Sequence, residues 1–215
     1  MCGWFEGQSP GGFGDLLSIS NASNHYFGLE HAGDHLFVHL DTGVGGEQFQ
    51  TVFNDTTIMN AWFFVAFVAD SNGLIAYYHR DSGGSWTQIT AISGVDGIVS
   101  TNFMGVGYDP ALGNTGGTFD VCFVRAWGVA LTASELQAER ASTVPLKTSN
   151  LVFNNDLSSA ANAHIDSTGT QNMTRTGTLT DSADGPTTPQ APAAGSAIWI
   201  PQPARLVRAG GIYRM

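Results

Sequence analysis

Three histidines, His31, His35 and His39, recur at every fourth residue, a spacing that aligns metal ligands when the backbone is helical. The surrounding DHLFVHL alternates as a strand does, so only His35 and His39 share a face, about two pleats apart. That geometry favours solvent-facing or hydrogen-bonded histidines over a zinc site. Glycoside hydrolysis needs a carboxylate pair, about 5 Å apart in retaining enzymes, which on a strand means an acidic run along one face. The glutamates Glu6, Glu30, Glu47, Glu135 and Glu139 are instead scattered, and a turn in LEHAGD separates Glu30 from Asp34. No G-x-S-x-G nucleophile elbow occurs in the sequence. The chain is therefore predicted not to be an enzyme. Cys2 and Cys122 allow at most one bridge, and Cys122 sits in an apolar run that suits a buried free thiol.

Binding chemistry is better represented. Tyr77, Tyr78, Trp86 and Tyr108 flank loops, where ring faces stack on sugar C–H groups and nearby Asp or Asn side chains fix hydroxyls. Trp62, Phe64 and Trp127 are expected in the core instead. At the other end of the chain, PTTPQAPAAG reads as an extended linker. The tail after it carries Trp199, Ile200, Arg205, Arg208, Tyr213 and Arg214 and has no acidic residue. Such an arm suits docking on an acidic surface, the chain's own or a partner's.

These side chains need a β scaffold, and the composition supplies one. Of 215 residues 42% are hydrophobic and 12% charged, with 27 glycines, the make-up of many short strands joined by turns. FGDLLSIS, HYFGLEHAGDHLFVHL, EQFQTVFN, AWFFVAFVAD, LIAYYHRD, SWTQITAIS, TNFMGVGYD and GTFDVCFVRAWG read as strands, with turn signals such as SNG, DSGG, GVDG and GNTGG among them. In LIAYYHR, Leu74, Ala76, Tyr78 and Arg80 take one face and Ile75, Tyr77 and His79 the other. Both faces are partly apolar, as in a strand of packed sheets. LTASELQAERA is the one helical signal, with Thr132 as cap and Glu135 three residues on. The predicted fold is all-β, a two-sheet antiparallel sandwich with one short helix and an extended C-terminal arm. A formal net charge of −10 speaks against nucleic-acid binding. No apolar run reaches the roughly 20 residues of a membrane span. MCGWFEGQSP has neither a basic n-region nor an apolar h-region, so synthesis in the cytoplasm without a signal peptide is expected.

The order of NAWFFVAFVADSNGLIAYYHRD and FMGVGYDPALGNTGGTFDVCFVRAWGVALTASELQAE resembles the laminin-G-like, concanavalin A-like lectin/glucanase superfamily. Trp62, Phe103 to Gly107, Asp120, Trp127 and Leu131 to Leu136 fall where that family has its Trp-led strand, its F-led strand and its closing strand and helix. The resemblance implies a jelly roll. It also implies a calcium ion at the sandwich rim, held by Asp166 in IDSTG and Asp120 in TFDVC, with Asn172 as an oxygen donor. Ser149 to Pro186 looks like the segment that usually begins such a domain, so the strand order is permuted. That segment either completes its own sandwich or starts a second domain that a neighbour finishes, and intramolecular completion is favoured because an uncovered edge invites aggregation. The organisation expected is thus 1–141 for the main sandwich, 142–186 for the completing segment and 187–215 for the linker and assembly arm.

Two functions fit. The first is a non-enzymatic structural or decoration protein of a large assembly such as a phage-like virion, with itself or other virion proteins as partners. The second is a carbohydrate-binding module or adhesin, with glycans as partners.

Overall fold

The computed structural model describes residues 1–7, 13–20, 26–32, 35–41, 47–54, 61–70, 73–81, 86–93, 103–106, 119–157, 161, 165–169, 174–182, 185–186 and 206–214. The strands are β1 (Cys2–Gly7), β2 (Phe13–Ser20), β3 (Tyr26–Ala32), β4 (His35–Asp41), β5 (Glu47–Asn54), β6 (Trp62–Asp70) and β7 (Gly73–Arg80). They continue with β8 (Thr87–Ser93), β9 (Phe103–Val106), β10 (Phe119–Trp127), then after helix α1 (Ala133–Arg140) β11 (Leu151–Asn155), β12 (Thr174–Ser182) and β13 (Leu206–Arg214). The larger sheet runs β12-β13-β10-β1-β6-β7-β8 with β11 also on β10, and the smaller runs β5-β4-β3-β2-β9. Every pairing is antiparallel, so the architecture is the all-β, two-sheet antiparallel sandwich with one short helix. No helix among the described residues is long and apolar enough to cross a membrane.

The near-continuous apolar run WFFVAFVAD makes sense because β6 is covered on both faces. Trp62, Phe64, Ala66 and Val68 join Cys2, Trp4, Tyr77, Cys122 and Trp127 in one buried layer, closed from above by Leu131 and Leu136. On the opposite face Phe5 packs against Phe63 and Phe119, with ring centroids 6.3 and 5.9 Å away. The smaller sheet contributes buried Leu16, Leu17, Met104 and Val106. Leu16 and Leu17 are adjacent yet both buried because the register of β2 against β3 slips between Asp15 and Leu17, a bulge that lets neighbouring side chains escape strict alternation. Trp62, Phe64 and Trp127 are core residues, as their sequence context predicts.

Strand β10 organises the larger sheet. One edge pairs with β1 throughout, while the other is shared, β13 lying along Phe119–Val121 and β11 along Val124–Trp127. Between these two partners sits Phe123, whose φ of 53° puts a non-glycine residue in the left-handed region. Leu206–Arg214, read from the sequence as part of an arm, is a full strand that pairs with β12 from Leu206 to Arg214. Strand β1, absent from the strand list drawn from the sequence, is central, between β10 and β6.

Candidate functional site

Helix α1 starts where the sequence says it should. The Thr132 hydroxyl accepts the Glu135 N–H at 3.2 Å and the Glu135 carboxylate accepts the Thr132 N–H at 2.9 Å, a complete capping box. Its far end is fixed by a residue that motif reading passed over. Arg125, on β10, is 1% exposed and pairs with the equally buried Glu139 at 2.8 Å. The same guanidinium donates to the carbonyls of Glu139 at 3.0 Å and Ser142 at 2.8 Å, and to Asn154 Oδ1 at 3.3 Å. Glu139 in turn accepts the backbone N–H groups of Leu146 and Lys147 at 2.9 and 2.6 Å. Strand, helix, loop and β11 are thereby tied through one satisfied ion pair. Its signal in the sequence was a cation inside the apolar run DVCFVRAW.

Asp166 is 2% exposed and its carboxylate is committed to the chain. Its Oδ1 accepts the N–H of Asn154 at 2.9 Å and of Thr168 at 3.0 Å, and the Thr168 hydroxyl donates to Oδ2. The Ser167 N–H donates to Asn154 O at 2.8 Å. Carboxylate and loop together occupy the outer edge of β11 as a neighbouring strand would, which protects an edge otherwise open to pairing. Asp120 lies elsewhere, on β10 opposite Glu6, whereas the β10 residue opposite Asn154 is Arg125. Five residues of strand separate the two places, on the order of 15 Å. The structure therefore does not bring the expected calcium ligands Asp166 and Asp120 together. Among the described residues no group of three His, Cys, Asp or Glu side chains is placed to hold a metal, and Asn172 lies outside them.

His35 and His39 both lie on β4, opposite Ala32 and Gly28 of β3, and His31 on β3 is opposite Leu36. Of the assembly residues, Arg208, Tyr213 and Arg214 are on β13, opposite Thr180, Arg175 and Thr174 of β12, and Trp199, Ile200 and Arg205 lie outside the described residues. Cys2 and Cys122 are free and buried. Burial pushes the Cys2 thiol up to about 11 and raises that of Cys122 as well, so neither is a ready nucleophile.

The aromatic residues are the more informative set. Tyr77 is only 8% exposed, and its ring stacks on Trp86 at 5.3 Å and 20°. Trp86 also meets Phe64 at 6.0 Å and His79 at 6.3 Å. Tyr77 thus spends its ring face on the core, leaving half-buried Trp86 as the outer member of the stack. Tyr78 is opposite Val65 on β6, and Tyr108 lies outside the described residues. Trp62 continues the layer on β6.

Indole N–H groups separate these tryptophans into two kinds. Trp127 donates to Lys147 O at 2.7 Å and Trp4 to Arg140 O at 3.3 Å. Among the described residues, buried Trp62 Nε1, Trp86 Nε1 and Arg140 Nε have no hydrogen-bond partner. Asp81 links the neighbourhood, donating its N–H to Trp62 O at 2.9 Å and attracting the Arg140 guanidinium, whose pKa burial lowers and Asp81 raises. Beside Trp62 the register continues across the sheet to Glu6 on β1, Asp120 on β10 and Arg208 on β13. Aromatic rings, orphaned donors and carboxylates thus share one end of the larger sheet's helix-bearing face. Sequence reading named Trp86 among the loop-flanking aromatics and placed Trp62 in the core, and the row beside Trp62 exists only through pairing.

No family model matches the chain, and no curated protein matches it. A solved structure similar to it is the CBM40 of the Ruminococcus gnavus IT-sialidase bound to α2,6-sialyllactose, at 15% identity, covering 64% of this chain and 80% of that one with a TM-score of 0.44.

Proposed function

We propose that the chain is a non-catalytic glycan-binding module whose site is centred on Trp62 and Trp86. One observation carries the reading: both indole N–H groups are buried without an acceptor, in a layer where the other two described tryptophans have theirs. A buried unpaired donor costs about 1–3 kcal/mol, a cost that a ligand oxygen removes. Sugars offer hydroxyl oxygens for the N–H groups and C–H faces for rings, which is the combination Trp86 presents. The laminin-G-like and concanavalin A-like resemblance of the sequence agrees with this reading. The decoration reading drew in part on the basic, aromatic C-terminal arm, of which Leu206–Arg214 pairs with β12 in the chain's own sheet.

Tryptophan fluorescence and calorimetry against a glycan panel test the proposal. Binding is expected for the native chain, and Trp86→Phe, which keeps a ring and deletes the N–H, is expected to weaken it about tenfold while the melting curve holds. A panel in which nothing perturbs the fluorescence or releases heat at millimolar concentration refutes it.

A further inference from the structure

We infer that the chain pairs with a second copy of itself along β12, edge to edge and antiparallel, about a two-fold axis at Thr178. Four strands end the two sheets, β12 and β8 in the larger and β5 and β9 in the smaller. Three of them meet the opposite sheet, β5 lying against β8 and β9 against β13. Among the described elements β12 packs substantially on β13 alone, and no described strand pairs with its outer edge. Its register against β13 runs unbroken from Thr174 to Ser182, whereas the pairings of β5 and β8 with their neighbours are each interrupted by a register shift. TRTGTLTDS also contains neither Pro nor Lys. A long, regular edge without those devices presents a row of main-chain donors and acceptors to another strand.

The residues of β12 select the partner. Antiparallel pairing centred on Thr178, the middle residue of the strand, sets Arg175 of each copy opposite Asp181 of the other. It also sets Thr176 opposite Thr180, Thr174 opposite Ser182 and Gly177 opposite Leu179, so the whole strand is used. Opposite charges and Thr–Thr or Thr–Ser pairs directly across an antiparallel ladder are favourable, and like charges there are not. Moving the centre one residue either way puts Arg175 opposite Leu179 or Ala183, and parallel pairing in register puts Arg against Arg. Charges on an edge ordinarily deter pairing, so a strand with this arrangement rejects other edges and accepts its own copy. Asp181 is exposed and already interacts within its own chain; a carboxylate has about four acceptor sites, so the contact with the second copy adds to that interaction. The pairing uses neither Trp62 nor Trp86, so it stands or falls separately from the glycan-binding reading.

Sedimentation equilibrium of the full chain tests the inference. The native chain is expected to dimerise reversibly between micromolar and millimolar concentration. Arg175→Asp or Asp181→Arg alone sets like charges opposite each other at both symmetric positions and is expected to weaken the dimer about tenfold or more, while the double variant restores opposite charges in the same register and recovers most of the loss. Cysteine substitution reads the register directly. In Thr178→Cys the two introduced residues stand opposite each other with Cα atoms about 4.5–5.5 Å apart, within disulfide reach, whereas in Thr180→Cys they are displaced four residues along the strands, on the order of 13 Å. The native Cys2 and Cys122 are buried, so mild oxidation of the folded chain is expected to cross-link Thr178→Cys and not Thr180→Cys. Should a charge variant unfold, the two cysteine variants decide alone. A native chain that stays monomeric throughout, a folded double variant no better than the single ones, or equal cross-linking of the two cysteine variants overturns the inference.

Discussion

Replacing Arg125 by methionine removes the one cation buried against Glu139 and, with it, donors to two backbone carbonyls and to Asn154. The aliphatic stem is roughly preserved, so the loss is electrostatic more than steric. Glu139 keeps the Leu146 and Lys147 N–H groups but is left as a charge at 1% exposure with no counter-ion. Breaking a buried pair by deleting one partner costs about 3–5 kcal/mol, against a total stability of about 5–15 for an ordinary domain. With a urea slope near 2 kcal/mol/M the midpoint should fall by about 2 M. A second substitution separates the charge from the contacts: Glu139→Gln in the Arg125→Met background removes the stranded charge but keeps an oxygen for Leu146 and Lys147. It should return about 1–2 kcal/mol. Urea unfolding followed by circular dichroism reads all three proteins. An Arg125→Met midpoint within about 0.5 M of the native one, or a double variant no better than the single, refutes the account of this knot.

Asp166→Ala deletes the acceptor for two backbone N–H groups and uncovers the edge of β11, so it should cost about 1–3 kcal/mol and promote aggregation, equally with calcium or a chelator present. Melting that depends on calcium in the native chain but not in Asp166→Ala would show that the carboxylate serves an ion instead. Lys147, with Thr132 adding its backbone and hydroxyl donors, holds the Glu135 carboxyl at about 2, below its usual 4.5. A depressed carboxyl stabilises above its unfolded value and the benefit fades as pH falls from 4.5 towards 2, so Glu135→Gln should flatten that limb of the pH–stability profile. Superimposable acid limbs in the two proteins would remove Glu135 from the ledger.

How far the sequence speaks depends on whether a feature is local. The strand character of EQFQTVFN and LIAYYHR and the capping box at Thr132 and Glu135 are properties of a few consecutive residues, and the structure has strands over both segments and a complete capping box. Parity put Tyr77 and Tyr78 on opposite faces, but it did not show that Trp86 stacks on Tyr77. Leu206–Arg214 read as an arm because its pairing with β12 reaches back more than twenty residues. Arg125 is the sharpest case: a cation within an apolar strand is legible as an anomaly, whereas its partners Glu139, Ser142 and Asn154 converge only once α1 folds back over β10. Asp166 was singled out as a calcium ligand by resemblance, and in the structure its carboxylate accepts the backbone N–H groups of Asn154 and Thr168.

The four described tryptophans make the same point about energy. All are mostly or wholly removed from water in one layer over the larger sheet, and burial alone would predict the same fate for each N–H. Trp4 and Trp127 reach carbonyls at the end of α1 and in the loop after it, the very segments that Arg125 and Glu139 hold in place. The ion pair therefore stabilises its own bonds and also keeps in position the carbonyls that two indoles need. Trp62, on β6, and Trp86, just before β8, have no such carbonyl, and their donors stay open. At about 1–3 kcal/mol each, two open donors are a substantial fraction of a domain's net stability. Folding gains nothing from that arrangement, which is the physical ground for the glycan-binding proposal.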